Sequence, residues 1–584
     1  KAGINNYEFQ YREADYGSTP KGLMYGLQCL DSWLYGGNPA ANLETGKLFT
    51  SLNRKLEEGW FERLLGQIFM DNPHNCQVLL LPSATLANEK RDAETERLHA
   101  VKKSWGVEDI SGLQKRQAAL IAWQSAADTP EALAALPALQ LSDIAVQPER
   151  IPLEERTLAG RCLLRHDIST GRISYVNLYF DVSDFSQEML PDVSFLCRLL
   201  GNMDTEIHGN LQLQRLCRLN IGRINFSVEA YGGVNAPENC RTFLCVSFSA
   251  MDINLESAAN LIAEIITGSK FDDQCMIHEL LRQAIVWMEQ NIIDSGSGYA
   301  MTRIAAGHSA QGVVRECTGG FTYFQRLKTL EKNFQRYAAE FSRELAALSK
   351  EIFAKNRLTI SITGTNDNAE AILENAVICV LPVSRQKETV CSIRPWSKRR
   401  EGIVIPADVS FTAMGGNLLQ YGGSLQVLSR IVSLSYLWNV IRVQGGAYGT
   451  GLSLSNSGNA CFYSYRDPTA ARSLNAYRQT EGFIKQFCGT KPDLTRFIVG
   501  TVAEMDPLML PGRQGKASDR WYLTGIEYAD QCAERREILS TTPERLAACA
   551  QLMYEVSENG SICVIGSKRQ IESCGEEIDS ICIL

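Results

Sequence analysis

Two stretches of this chain run the same way, and they restrict its fold more than any other feature. Leu216 to Gly233 passes from a helix into a strand and ends Glu229-Ala230-Tyr231-Gly232-Gly233. Leu437 to Gly451 does much the same and carries Gly445-Gly446-Ala447-Tyr448-Gly449. An alternating or apolar strand follows each, Phe243 to Phe248 and then Cys461 to Tyr465. A repeat so widely spaced predicts two related αβ domains in tandem. The 584 residues leave room for about three or four domains in all.

Three strand-like segments are expected to close three domains: Asn75 to Pro82, Arg357 to Gly364 and Gly560 to Gly566. Each follows a long helical stretch and a polar turn, so the pattern reads as a helix and then an edge strand. After the first of them the texture changes. Ala84 to Trp105 is rich in Ala, Glu, Lys and Arg, with no Pro or Gly inside, which favours helix. Gly106 stops it, and Glu108, Asp109 and Ser111 open a second helix through Trp123. The two read as a charged helical hairpin. Pro130, Pro137, Pro148 and Pro152 make the next stretch a linker, with a short Ala-rich helix at Glu131 to Leu136. Arg172 to Val182 alternates as a strand and leads to a helix through Leu200. The basic, polar stretch Arg385 to Arg400 joins the repeated domains, and Lys398-Arg399-Arg400 within it reads as a solvated charge run. Four segments result: 1–83, the closing part of an incomplete domain; 84–152, the hairpin and linker; and two αβ domains, 153–385 and 386–584. The chain opens at Lys1 on sequence that already reads as mid-domain, so a processed or truncated fragment is expected.

Composition narrows the function class. The net charge of -8 is mild and no long basic run appears, which argues against a nucleic-acid surface. No apolar run reaches the roughly 18 residues that span a membrane. The 18 cysteines are scattered singly, without a Cys-x-x-Cys pair, and several sit in apolar runs (Cys197, Cys379, Cys563). They read as small buried hydrophobes in a reducing compartment, and a cytoplasmic location is expected.

The chemistry concentrates in Ile441 to Gly451. A glycine pair breaks the preceding apolar helix and lets backbone approach closely. Arg442 and Tyr448 flank it: a guanidinium fork and a hydroxyl at fixed reach, together suited to a carbonyl oxygen or an oxyanion. The glycines lack both dinucleotide spacing and the Lys-Ser/Thr of a phosphate loop. No Gly-x-Ser-x-Gly elbow occurs, and no cysteine has a recognisable protease context. The six histidines are His74, His99, His166, His208, His278 and His308, and no two lie four residues apart. The one His-Glu step, His278-Glu279, reads as helix surface.

Arg442-Val443-Gln444-Gly445-Gly446-Ala447-Tyr448-Gly449, followed by Tyr465-Arg466-Asp467-Pro468, resembles the C-terminal half of the pitrilysin/insulinase group of zinc peptidases, in its presequence protease and falcilysin branch. Ile293-Asp294-Ser295-Gly296 with Arg303 to Gly307, and Glu504 to Pro507 with Lys516 to Asp519, extend the likeness over most of the chain. The resemblance implies an α+β fold of tandem pitrilysin-like domains, each a mostly antiparallel sheet packed by helices, preceded by a helical hairpin linker. Residues 1–83 would end the second domain, 84–152 connect, 153–385 form the third, peptidase-associated domain, and 386–584 the fourth, substrate-gripping and inactive one. It implies zinc-assisted hydrolysis of unstructured peptides in a closed chamber made with the N-terminal catalytic half of the same protein. The zinc, held by His-x-x-Glu-His and a distant Glu, would sit in that other half, with no cofactor in this chain, which alone would be inactive. Arg442 would hold substrate backbone or a carboxylate, and Tyr448 would donate to the scissile carbonyl. Tyr463 and Tyr465 alternate out of a strand toward the chamber, while Arg466 and Asp467 pair to fix the strand end. The alternative is a non-catalytic pitrilysin-like scaffold or peptide-binding subunit.

Overall fold

The computed structural model describes residues 1–17, 19–126, 128–384 and 391–584. The expected boundary at Arg385 and Gln386 lies outside these residues. The chain divides into two compact units, one of residues 1–53 and 140–584, the other of residues 54–139.

The smaller unit holds the hairpin helices, α1 (Leu86–Ser104) and α2 (Val107–Ser125). The Asp109 carboxylate accepts the Gly106 N–H at 2.8 Å, so the acid of the first turn caps α2 while Ser111 lies a turn inside it. The short helix after it runs Pro130–Ala134. The strand expected at Asn75 to Pro82 does not form, and Val78 to Leu81 stand exposed. A strand needs a neighbour for its backbone groups, and every strand of the described residues belongs to the other unit.

That larger unit contains two six-stranded sheets. The first comprises β1 (Glu154–Leu158), β2 (Arg161–His166), β3 (Ile173–Asp181), β4 (Arg223–Gly233), β5 (Ala236–Met251) and β6 (Leu358–Thr363), in the order β1-β2-β6-β3-β5-β4. The second comprises β7 (Arg400–Val404), β8 (Ser410–Asn417), β9 (Gly449–Leu454), β10 (Asn459–Asp467), β11 (Ser561–Gly566) and β12 (Ser580–Ile583), in the order β12-β7-β11-β8-β10-β9. Five strands of each sheet follow one topology, with first, last, second, fourth and third side by side. The tandem repeat is therefore real at the level of topology. Antiparallel pairs predominate, but first and last strands pair in parallel (β2 with β6, β7 with β11), and β12 adds a second parallel edge. A parallel pair needs a long crossover, which the intervening helices supply. The closing strands β6 and β11 are thus central, not edge strands. Their sequences agree: every residue of Ser561–Gly566 is buried, as a strand covered on both faces requires.

Among the helices between β5 and β6 are α3 (Gln274–Ala306), α4 (Ala310–Gly319) and α5 (Phe321–Ile352). On α5 a stripe of Phe324, Leu327, Phe334, Phe341, Leu345 and Ile352 repeats at helical spacing and is buried in the core of the first sheet. Each such side chain contributes about 1.5–3 kcal/mol on burial. α3 leaves its own sheet and packs on the second one. Phe411 of β8 lies where any Cβ on Gly296 would come within 2.5 Å, so only glycine admits that contact. In return α6 (Pro511–Thr524) of the second domain packs on the first sheet. Its buried face, Gly515, Ser518, Asp519 and Leu523, has helical spacing. Each domain thus covers part of its partner's sheet.

Polar groups lock both contacts. Arg303 of α3 donates through Nε to Glu401 Oε1 of β7 at 2.6 Å and through Nη1 to Glu316 Oε1 at 3.1 Å, all three buried. Asp519 of α6 accepts from Tyr179 Oη at 2.9 Å and Asn177 Nδ2 at 3.2 Å, and lies 2.8 Å from His166 Nε2. The stretch before β7 is not simply solvated. The Arg399 guanidinium lies over the Trp396 ring at 5.2 Å, and Arg400 Nη2 donates to the Glu558 carbonyl at 3.1 Å.

At the same junction His308 Nε2 lies 3.1 Å from Ser561 Oγ. Burial, and then Lys398, push its imidazole down to about 4, so the ring is neutral in the fold. An unfolded histidine takes up its proton near pH ~6.5. Between pH about 6.5 and about 4 the unfolded chain therefore binds the extra proton, and stability falls as pH falls through that window. The slope is at most about 1.4 kcal/mol per pH unit, and partial exposure lowers it. His308→Asn should flatten the pH dependence of the urea midpoint between pH about 6.5 and about 4; parallel curves for the two proteins would show that His308 carries none of it.

Candidate functional site

The helix Gly423–Ile431 continues unbroken into a π-helical stretch, Val432–Val443. Such widened turns are frequent at functional sites. Leu437 and Ile441 anchor its inner face in the core of the second domain. Trp438 and Arg442, each one residue on, lie on the outer face, and the Arg442 guanidinium stacks 3.9 Å from the Trp438 ring centre. The stretch ends at the glycine pair. A Cβ on Gly445 would sit 2.4 Å from the Ile441 carbonyl oxygen, and Gly446 adopts φ +83°, so the turn needs both glycines. Gly446 N–H donates to the Arg442 carbonyl at 2.9 Å and Ala447 N–H to that of Ile441 at 3.1 Å. The reversal returns Tyr448 beside Arg442, with the guanidinium 5.8 Å from its ring centre.

Tyr448 immediately precedes the outer strand β9. Its N–H donates to the Tyr465 carbonyl at 3.0 Å, and its ring meets that of Tyr465 edge-on at 5.8 Å. Gly449 and Gly451 of β9 face Tyr465 and Tyr463 of β10. A Cβ on Gly451 would come within 2.9 Å of the Tyr463 hydroxyl, so the Tyr463 ring covers a bare strand. Burial raises the Tyr463 hydroxyl above its ordinary value. The Tyr465 hydroxyl donates to the Asp294 carbonyl at 3.2 Å, beside a kink where Ser295 leaves helical geometry. The Asp-Ser-Gly segment thus supports the tyrosine on which Tyr448 leans.

Neither predicted site residue has a structural partner that occupies its donors. Arg442 has no carboxylate within 4.0 Å and no side-chain hydrogen bond among the described residues, and Tyr448 is 68% exposed with a free hydroxyl. Arg466 at the end of β10 and Arg472 in the helix Ala470–Arg478 have no carboxylate within 4.0 Å among the described residues; Arg472 Nη1 donates to the Gln444 carbonyl at 3.1 Å. The surface is cationic and rich in donors, suited to carbonyl or carboxylate oxygens.

Two expectations need correction. Arg466 does not pair with Asp467. Arg466 turns out at φ +49° and lies over the Tyr465 ring, while the buried Asp467 accepts from Ser464 Oγ, Ser473 Oγ and Thr469 N–H. Asp467 still fixes the strand end, through hydroxyls that hold a buried carboxylate without an arginine. Nor are Tyr231 and Tyr448 equivalent. Tyr448 precedes its strand and is exposed, whereas Tyr231 lies near the end of β4, buried edge-on against Tyr179 and Phe243. Sequence reading missed Trp438, although its spacing of four residues before Arg442 on a helix was a usable sign. It also missed Arg472, which only the fold brings near.

The histidines are engaged elsewhere or isolated. His166 is buried between the Pro152 carbonyl and Asp519, His208 lies against Glu264, and His278 stacks on Phe334. Among the described residues no group of three or more His, Cys, Asp or Glu could hold a metal ion. No helix is long and apolar enough to cross a membrane among the described residues.

Residues 80–330 match the family model of the domain associated with peptidases of family M16, subfamily C, and residues 400–568 match the PreP C-terminal domain. Over these two stretches the chain is similar to domains of the M16 peptidases, subfamily C. The resemblance drawn from Arg442 to Gly449 and Tyr465 to Pro468 holds. Protein HypA of Clostridium perfringens is 30% identical over 98% of this chain and 59% of its own length. Presequence protease 1, chloroplastic/mitochondrial, of Arabidopsis thaliana is 29% identical over 99% of this chain and 54% of its own. The chain therefore spans little more than half the length of these curated relatives. Among solved structures, a protease from Helicobacter pylori superposes with a TM-score of 0.52 at 10% identity, covering 71% of this chain and 99% of that one. A conserved protein from Enterococcus faecalis V583 gives 0.50 at 15% identity, with 71% and 99% covered. These two likenesses show the α+β fold alone.

Proposed function

We propose that this chain is the substrate-gripping, non-catalytic part of a peptidase that degrades unstructured peptides in a closed chamber. One observation carries the reading: a half-buried Arg442 and an exposed Tyr448 stand side by side, with their donors unspent among the described residues. A scaffold has no need of a charged fork and a hydroxyl held ready by two obligatory glycines and a supporting tyrosine. Arg442, flattened on Trp438, would bind a backbone carbonyl or carboxylate of the peptide. Tyr448 would donate to the scissile carbonyl oxygen as negative charge develops on it, and so act more strongly in the transition state than in the ground state. Zinc would belong to a catalytic half working with this one.

The test is hydrolysis of an unstructured fluorogenic peptide with added zinc, by this chain alone and by the complete gene product. This chain alone should be silent, and the complete product should show chelator-sensitive cleavage. Tyr448→Phe should then lower kcat/KM about 100-fold, and Arg442→Ala should lower it too. Rates unchanged in both variants would sink the assignment of these residues. No cleavage by the complete product would favour a peptide-binding or scaffold subunit.

A further inference from the structure

Away from Arg442 and Tyr448, a cavity of about 510 Å³ opens in the first αβ domain between the helix Leu190–Leu199, β4, α3, α4 and α5. That volume is within the range of about 300–1,000 Å³ typical of small-ligand sites. Phe226 and Met288 line its apolar side, and Trp287, itself 56% exposed, forms a wall. Two cations complete it. Arg198 stacks 5.7 Å from the Trp287 ring centre, and Arg315 enters from α4. Neither guanidinium has a carboxylate within 4.0 Å among the described residues, and no acidic residue lines the cavity. The nearby acids are committed: Asp192 holds Arg326 at 3.1 Å, and Glu229 accepts from Lys516 Nζ and Ser227 Oγ, each at 3.0 Å. Desolvation pushes the Arg315 guanidinium below its ordinary value, against the opposing pull of Cys240 and Glu229 and with Arg520 adding to the effect.

Two guanidinium groups that line one recess without an ion-pair partner among the described residues attract an anion. Guanidinium forks match carboxylates bidentately, and an aromatic wall favours an apolar group beside the charge. We propose that this cavity binds a carboxylate attached to a large apolar or aromatic group, as at the free C-terminus of a peptide ending in such a residue. Arg198 and Arg315 take the carboxylate, and the side chain next to it packs on Trp287, Phe226 and Met288. The site stands apart from the grip assigned to Arg442 and Tyr448.

Binding of a fluorescein-labelled peptide ending in Phe with a free carboxylate tests this on the chain as it stands. The same peptide as a C-terminal amide should bind at least about tenfold more weakly. Arg198→Gln and Arg315→Gln should each weaken the free acid comparably. Arg198→Lys, which keeps charge and fold but loses the fork, should bind at an intermediate level. Competition by hydrocinnamate would show that a small apolar acid suffices, and its failure to compete would assign the site to peptide termini. Arg442→Ala should leave all of this unchanged, so failure here is separable from failure of the proposed grip. Equal binding of acid and amide, or full binding by a folded Arg198→Gln/Arg315→Gln double variant, would overturn the proposal.

Discussion

Arg303→Ala is expected to destabilise the protein by about 3–5 kcal/mol. The substitution does more than delete contacts. It leaves Glu316 and Glu401 buried with no counter-charge, and Glu316 already has one carboxylate oxygen without a hydrogen-bond partner. Burial raises the Glu316 carboxyl above its ordinary range even with Arg303 present, so its ionised form is costly here. Removing Arg303 would drive Glu316 toward protonation. The rings of Phe321 and Trp396, which hold the guanidinium at 5.9 and 5.6 Å, would also lose their packing partner. Urea denaturation should show a lower midpoint at unchanged slope. Adding Glu316→Gln and Glu401→Gln should recover much of the loss, because the stranded charges are gone. A single-variant loss below about 1 kcal/mol would mean that water reaches the cluster and that it is not a buried clamp.

The second large effect is expected at Asp519. Asp519→Ala strands three buried groups at once, the Tyr179 hydroxyl, the Asn177 amide and His166 Nε2. Each orphaned group costs about 1–3 kcal/mol, and shared relaxation should hold the total near 3–4. His166 has an oxygen acceptor at each ring nitrogen, the Pro152 carbonyl and Asp519, both at 2.8 Å. Asp519→Asn offers an amide donor to a neutral ring and keeps an oxygen for Tyr179, so it should retain most of the stability. Equal losses for Ala and Asn would show that the charge, not the hydrogen-bond count, holds α6 on the first sheet.

Much of this could be read from residues in order. The tandem repeat, the charged hairpin and the break at Gly445-Gly446 follow from local rules: periodicity, helix propensity and the freedom of glycine at positive φ. Arg442 and Tyr448 were legible because the turn between them is short, so sequence neighbours are also neighbours in space. What failed depended on partners far along the chain. Asn75 to Pro82 has the composition of a strand, but pairing is not a property of the segment. Tyr231 and Tyr448 share a motif, yet one lies inside its strand and the other before it, because short glycine-rich strings say nothing about register. Asp467 next to Arg466 looked like an ion pair, while hydroxyls on either side of it in the chain claim the carboxylate. Asp519 was noticed only as part of a motif. Its meaning lies in His166, 353 residues away.

The loan of α3 to the second sheet and of α6 to the first bears on how such a tandem can change over time. A string of independent repeats can lose or gain a member and leave the rest intact. Here, deleting either domain strips the survivor of part of its roof and takes a partner from a buried charge, Glu401 from Arg303 in one case and His166 from Asp519 in the other. The covalent connection between the two is the less important bond. The pair must be inherited, expressed and lost together, as a single unit whose twofold ancestry is still visible in its strand order.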